Sequence, residues 1–260
     1  MVNYNATEGR LIIIPKEKTD RYSLREILES LPCRSLSISL QSGSGQVTDL
    51  DAINDFPAIQ EVDFSRLPIT DLGCIQKLSS LRSLTVAFGS LSRVDLDFCA
   101  GTLEKLHICY LRSLKDLSTL PFMPRLKYLE LRCVHGFLPP DFRNFPNLTK
   151  LDISQSDWES LDRLSHLRKL RWINIWGLKL KTADWRPLLE LPDLLNINGM
   201  AKVFKASGKN ELGKMRPELG MDGHFKEDPE DPPRRSIDEM MEEAAKRIRE
   251  LKYTKGKGWS

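Results

Sequence analysis

The stretch Leu126-Lys-Tyr-Leu129-Glu-Leu131 decides the fold, and it returns one unit later as Leu148-Thr-Lys-Leu151-Asp-Ile153. Each copy alternates apolar and polar residues over its last three positions, which is the pattern of a short, half-buried β-strand. A strand of this length is not stable alone. The pattern therefore predicts that successive copies stack and bury their apolar sides together.

The same register extends over eight units of the chain. The spacings between the apolar residues that begin each alternation are 26, 22, 22, 23, 22, 22 and 22 residues. These eight anchors are Leu36, Val62, Leu84, Leu106, Leu129, Leu151, Ile173 and Leu195. A nearly constant period of this length indicates a solenoid of parallel strands around one continuous core. The return segments are short and interrupted by prolines, so we expect 3₁₀ or irregular turns on the convex side.

These strings resemble the leucine-rich repeat. The 22-residue length and the segment Ile69–Leu78 are similar to the internalin type of bacterial repeat, over about residues 33–200. The resemblance implies an α/β leucine-rich-repeat horseshoe with about eight short parallel strands on its concave face. It says little about function, because one fold carries many functions.

One position departs from this family. Asparagine usually stands five residues after the anchor, where its side chain satisfies the backbone of the turn. Here these positions hold Gln41, Leu67, Gly89, Leu111, Val134, Ser156, Leu178 and Met200. Without an asparagine ladder, we expect the turns to be held by apolar packing and to be less regular.

The sequence predicts five regions. Residues 1–32 are expected to form an N-terminal cap, with a strand over Leu11–Ile14 and a helix from Ser23 to Leu31 that Ser23 and Glu26 close as a capping box. The solenoid occupies residues 33–200, and its periodicity ends there. Beyond it we expect an extended or mobile linker over 201–235, an amphipathic helix over 236–252 and a frayed basic tail over 253–260.

The predicted helix 236–252 has an apolar stripe along one side. Its members are Ile237, Met240, Met241, Ala244, Ala245, Ile248 and Leu251. Such a stripe packs against another surface. The sequence leaves open whether this surface is the solenoid, a partner protein or a second copy of the chain. A membrane surface is less favoured because the polar face carries charges of both signs.

Composition excludes several classes of protein. The formal net charge of the 260 residues is +3, too small to indicate binding to nucleic acid or to a membrane. The five cysteines are an odd number without a C-x-x-C pair, which is unlike a disulfide framework or a zinc site. The apolar run Leu11–Ile14 is too short for a signal peptide or a membrane span. We therefore expect a cytoplasmic protein, or alternatively an effector secreted without a classical signal peptide.

Residues typical of catalysis are missing from the sequence. The four histidines are not spaced to form a metal pair on a helix, and no nucleophile-elbow or phosphate-binding loop motif occurs. Cys109 is expected to point outward from its strand, but no general base stands at a recognisable spacing from it. We expect neither enzymatic activity nor a cofactor, a metal ion or a small-molecule substrate.

The outward residues of repeats four to seven are the candidate binding site. In a strand that alternates, the polar positions point away from the core and line the concave face. In these repeats the outward positions are Tyr128, Glu130, Arg132, Lys150, Asp152, Trp172, Asn174 and Trp176. Exposed tryptophan, tyrosine and arginine among charged residues are typical of protein-binding hot spots. Alternatively, the C-terminal tail covers the tryptophans, or Trp172 turns into the core.

The sequence thus favours a non-enzymatic protein–protein interaction module, a scaffold or adaptor that holds its partner on the concave face. An inhibitor or immunity-type protein that neutralises an enzyme or toxin is the alternative. Nucleic-acid binding is less favoured, because the concave positions include no basic stripe.

Overall fold

The computed structural model describes residues 1–40 and 45–222, which belong to one compact unit. Fifteen strands occur among these residues. They are β1 (Val2–Asn5), β2 (Arg10–Ile13), β3 (Arg21–Ser23), β4 (Ser35–Ser39), β5 (Gln46–Thr48), β6 (Glu61–Ser65), β7 (Ser83–Ala87), β8 (Lys105–Cys109), β9 (Tyr128–Arg132), β10 (Lys150–Asp152), β11 (Asp157–Trp158), β12 (Trp172–Asn174), β13 (Lys179–Leu180), β14 (Asn196–Asn198) and β15 (Gly220–Met221).

Helices are few and short in the described part of the chain. The α-helices are α1 (Leu24–Ser30), α2 (Met200–Val203) and α3 (Lys205–Met215). The 3₁₀ helices are Leu50–Asp55, Gly73–Ile75, Asp97–Cys99, Phe142–Asn144, Asp162–His166 and Arg186–Glu190. The 3₁₀ helices lie in the return segments, as the sequence predicts. Within residues 1–40 and 45–222, no helix combines the length and the apolar character that crossing a membrane requires.

One sheet carries the architecture. Eleven of the described strands form it in the order β1-β2-β4-β6-β7-β8-β9-β10-β12-β14-β15, and β1 alone among them runs antiparallel to its neighbour. Across this sheet, the anchor of each repeat pairs with the anchor of the next, from Leu36 with Val62 to Leu151 with Ile173. The predicted leucine-rich-repeat solenoid is therefore confirmed, and seven of its eight anchors are correct.

The eighth anchor was placed two residues too early. Ile173 pairs with Ile197 rather than with Leu195, and Trp172 pairs with Asn196. Leu194, which is 1% exposed, fills the core position three residues before the true anchor Ile197. The last repeat spacing, from Ile173 to Ile197, is two residues longer than the usual 22, which shifts the strand without changing the apolar composition.

The chain from residue 201 to 222 differs from the predicted extended linker. Helix α3 and strand β15 occupy this segment, and Gly220 pairs with Asn196 so that the sheet gains one more parallel strand. Asp222 Oδ1 accepts hydrogen bonds from the backbone N–H groups of Gly199 and Met200 at 2.8 and 2.9 Å. The linker prediction is wrong here because β15 is too short to show an alternation. The predicted linker residues 223–235, helix 236–252 and tail 253–260 lie outside the described residues.

The N-terminal region contains the predicted strand and helix but not the predicted capping box. Strand β2 pairs in parallel with β4 and extends the sheet at its first edge. Helix α1 begins after Ser23, whose side chain makes no capping hydrogen bond. The Ser23 hydroxyl instead donates to Asp49 Oδ2 at 2.9 Å, in the following repeat. A carboxylate from a neighbouring repeat has replaced the local backbone N–H as its partner.

Apolar side chains fill four of the turn positions that asparagine would occupy. Those of Leu67, Leu111, Val134 and Leu178 are all no more than 5% exposed. Ser156 is a polar residue at one such position, and it is fully buried. Its hydroxyl donates to the carbonyl of Leu131 at 2.7 Å and accepts from the N–H of Val134 at 3.1 Å. This serine satisfies turn backbone in one repeat by the same chemistry as asparagine.

Candidate protein-binding surface

The outward side chains of repeats four to eight form three parallel lines across the concave face. The central ladder comprises His107, Glu130, Asp152, Asn174 and Asn198. The leading row is Tyr128, Lys150 and Trp172, which pair directly across β9, β10 and β12. The trailing row contains Arg132 and Trp176, with the buried Ser154 between them. Because neighbouring strands lie about 4.8 Å apart, the side chains of each row stand close together.

The second half of the central ladder is a closed chain of hydrogen bonds. Asn198 Nδ2 donates to Asn174 Oδ1 at 3.0 Å, and Asn174 Nδ2 donates to Asp152 Oδ2 at 2.8 Å. The other carboxylate oxygen of Asp152 accepts from the backbone N–H of Ser154 at 2.9 Å. Asp152 is only 5% exposed. Both oxygens of its carboxylate therefore accept hydrogen bonds within the sheet.

The first half of the ladder is centred on Glu130, which is 9% exposed. His107 Nδ1 lies 2.8 Å from Glu130 Oε2, and Arg132 Nε lies 3.2 Å from Oε1. Burial favours a higher pKa for Glu130, but the hydrogen bonds from His107 and Cys109 and the charge of Arg132 outweigh it and hold the pKa below its ordinary value. Glu130 is thus ionised and already paired within the molecule.

Cys109 stands in an outward column, as predicted, but its side chain is buried. It is only 5% exposed. Burial, together with the negative charge of Glu130, raises the pKa of the Cys109 thiol far above its ordinary value. The thiol is therefore neither accessible nor ionised as a nucleophile requires.

The leading row presents one phenol, one ammonium group and one indole. Tyr128 is partly exposed and meets the imidazole of His107 edge-on, with ring centroids 4.8 Å apart. Burial and the nearby carboxylates of Glu130 and Asp152 raise the pKa of Tyr128, which keeps its hydroxyl protonated. Trp172 is also partly exposed and does not turn into the core. The row ends at the buried Asn196.

Trp176 is the most exposed aromatic residue of the predicted site, at 46%. Its backbone is fixed: its N–H donates to Asn174 Oδ1 at 3.1 Å. Gly199, with φ +90°, packs so closely beneath it that a Cβ atom there would lie 2.4 Å from the Trp176 Cα. The turn after β12, which carries this indole, is therefore held from both sides.

The structure separates the eight predicted residues into two kinds. The polar groups of Glu130, Asp152 and Asn174 are paired within the central ladder. These contacts fix the strands and so position the leading and trailing rows on either side. The side chains that a partner could contact are Tyr128, Arg132, Lys150, Trp172 and Trp176. The sequence shows which residues alternate outward, but it does not show which of them are covered by neighbours from adjacent repeats.

Sequence reasoning overlooked one group at the ends of the strands. Phe88 is 46% exposed and stacks on Tyr110, with ring centroids 4.3 Å apart. Both residues stand four positions after their anchors, so their 22-residue spacing was available as a signal. Elsewhere, residues 1–40 and 45–222 contain no group of three or more His, Cys, Asp or Glu residues arranged to hold a metal ion.

No protein-family model matches the sequence, and no curated protein matches it. Solved structures do resemble the fold. The internalin InlF from Listeria monocytogenes is 21% identical with a TM-score of 0.55, covering 74% of this chain and 54% of its own. Internalin C2 from the same organism is 20% identical with a TM-score of 0.53, covering 73% of this chain and 79% of its own.

A chain of the Toll–Spätzle complex from Drosophila is 15% identical with a TM-score of 0.54; the match covers 73% of this chain and 26% of that one. The protein thus spans about half the length of InlF and a quarter of the matched Drosophila chain. At these identities the comparisons establish fold alone. The fold of this protein is an internalin-like leucine-rich repeat.

Proposed function

We propose that this protein is a non-enzymatic protein-binding module whose partner occupies the concave face. The observation that carries the proposal is the exposure of Trp176, 46%, in the turn after β12, whose backbone is hydrogen-bonded to Asn174 and packed closely on Gly199. An exposed indole on rigid backbone loses little conformational freedom when a partner covers it. Burial of large aromatic side chains is a main source of binding free energy at protein interfaces.

The charge of the surface defines the partner further. Arg132 and Lys150 flank the aromatic residues, whereas the carboxylates of Glu130 and Asp152 are buried in the ladder. The accessible groups are therefore aromatic and cationic, a combination that fits apolar side chains surrounded by carboxylates or backbone carbonyl groups. An aromatic and cationic surface of this kind is compatible with either an adaptor or an inhibitor of an enzyme.

The cellular location belongs to the same proposal. All five cysteines are unpaired, and four of them are buried. Unpaired buried thiols are typical of proteins that fold in a reducing compartment. This supports the cytoplasm as the place where the module acts.

The test compares partner capture from a native lysate by two variants. Trp172→Ala/Trp176→Ala removes both indoles, and Phe122→Ala removes an aromatic side chain that is 58% exposed elsewhere. We expect quantitative mass spectrometry to show at least one protein that the double variant captures at least about tenfold less, because a hot-spot residue contributes about 2 kcal/mol or more and about 1.4 kcal/mol is already tenfold in Kd. Phe122→Ala should capture it fully. Equal capture by the wild type and the double variant contradicts the proposal.

A further inference from the structure

Four side chains from consecutive repeats form a pile at the carboxyl ends of β6 to β9. In order they are Arg66, Phe88, Tyr110 and Arg132, which we term the edge stack. The guanidinium of Arg66 lies 4.7 Å from the ring centroid of Phe88, and that of Arg132 lies 5.7 Å from the ring centroid of Tyr110. The two rings stack at 4.3 Å with an angle of 12° between their planes. Two cations thus enclose two aromatic rings.

The backbone beneath the edge stack is unfavourable for these side chains. Arg66, Phe88 and Tyr110 have φ values of 59°, 55° and 57°, a left-handed region that bulky residues rarely adopt. Strand pairing imposes the turn, because each N–H donates to a carbonyl of the next repeat, as Phe88 does to Cys109 at 3.1 Å. Gly177 takes the same turn in a later repeat without that strain.

Packing into the core does not explain these side chains. Phe88 remains 46% exposed although its backbone is strained. Glycine at this position would adopt the turn without strain. Because the ring of Phe88 is so exposed, its partial burial contributes little free energy of folding to offset the strain. Cys133 and Gln155 take the same left-handed turn, so the edge stack is distinguished by an exposed ring enclosed in a cation–aromatic pile. An exposed aromatic side chain on a backbone that favours glycine points to a role in contact with another molecule.

The geometry of the edge stack restricts what that molecule is. The faces of both rings are covered by their neighbours in the pile, so a nucleobase finds no free face on which to stack. The N–H groups of a guanidinium lie in its own plane, and they stay available when the face of the group rests on a ring. Within the described residues, no carboxylate lies within ion-pair distance of Arg66, and Arg132 contacts Glu130 through Nε.

We propose that the edge stack is the docking site for an acidic, extended segment of a protein partner. Three inter-strand steps of about 4.8 Å separate the two guanidinium groups by about 14 Å. In an extended peptide, residues i and i+4 point to the same side about 13–14 Å apart, with residue i+2 between them. Two carboxylates at i and i+4 therefore reach Arg66 and Arg132, while an apolar side chain at i+2 packs on the ring edges.

This inference rests on the proposed function, because the edge stack joins the concave surface at Arg132. It adds the path of the bound partner: the partner's acidic segment leaves the concave face along the carboxyl ends of β6 to β9. The concave aromatic residues and the edge stack are then two parts of one interface with separate chemistry.

The direct test uses two labelled, end-capped peptides and the full chain. The first is Asp-Thr-Leu-Thr-Asp and the second is its neutral match, Asn-Thr-Leu-Thr-Asn. We expect fluorescence anisotropy to show about tenfold tighter binding of the acidic peptide, because charge-assisted hydrogen bonds to arginine are strong and directional. Arg66→Gln removes one of the two arginine contacts and should reduce this preference to about threefold, and Phe88→Gly should weaken binding of both peptides.

Two further variants keep the outcomes distinct. Phe88→Gly suits the left-handed turn, so an unchanged urea midpoint shows that its lost binding is not misfolding. Trp172→Ala/Trp176→Ala should bind the peptides as the wild type does, since these indoles lie outside the edge stack. The proposal is overturned if both peptides bind equally, if Arg66→Gln retains the full preference, or if an eight-nucleotide oligothymidylate binds more tightly than the acidic peptide. None of these results depends on the concave indoles of Trp172 and Trp176.

Discussion

Replacing Ser156 with alanine removes the hydroxyl that satisfies the turn after β9. The side chain is fully buried, and its loss leaves the Leu131 carbonyl and the Val134 N–H without their partner. Alanine fills most of the serine volume, so the space left is too small to admit a water molecule. The expected effect is therefore dominated by two unsatisfied buried backbone groups.

The magnitude follows from the cost of leaving such groups unpaired. Each buried donor or acceptor without a partner costs about 1–3 kcal/mol. Because the Leu131 carbonyl relaxes more easily than the Val134 N–H, we expect a total loss of about 3 kcal/mol in the free energy of unfolding. For a unit of this size, that corresponds to a decrease of about 6–12 °C in Tm.

Urea denaturation and differential scanning calorimetry measure the loss, and hydrogen exchange locates it at the Val134 amide. Ser80→Ala is the matched control, because Ser80 is exposed on a return segment. We expect this control to change stability by less than about 0.5 kcal/mol. A loss for Ser156→Ala as small as that of the control, or unchanged protection at Val134, would refute the assignment of this hydroxyl to the turn backbone.

Three other outcomes test further parts of the structure. Gly199→Ala should lower the free energy of unfolding by about 3 kcal/mol or more in urea titrations, since its Cβ would lie 2.4 Å from the Trp176 Cα. Iodoacetamide at pH 8 should modify Cys133, which is partly exposed, and should spare Cys99, because burial raises the pKa of the Cys99 thiol to about 12. Mass spectrometry of the peptides measures both reactions, and modification of the two cysteines at equal rates contradicts this expectation. Hydrogen bonds from Arg143 lower the pKa of Asp141 from 3.8 to about 2, so the stability from this pair is complete above pH 3.8 and is lost as pH falls towards 2. In Arg143→Gln the backbone N–H of residue 143 still donates to Asp141, so NMR titration should find the Asp141 midpoint raised towards 3.8 but below it; a midpoint still at about 2 would exclude the guanidinium as the cause.

The candidate site was only partly predictable from the sequence. Alternation along each strand correctly placed Tyr128, Trp172 and Trp176 on the outward side, since side-chain direction in a strand is a local property. The burial of Glu130 and Asp152 was not predictable, because it depends on side chains from repeats about 22 residues away in the chain. The edge stack was missed for the same reason: each of its members is unremarkable alone.

The sequence by itself determined the repeat, the parallel pairing and seven of the eight anchors. It did so because the apolar alternation is local and its period is nearly constant. The tertiary structure decided the shift to Ile197, the additional strand β15 and the division of the concave face into a closed ladder and accessible rows. These features depend on which side chains meet across neighbouring strands, and that is settled only when the repeats are stacked.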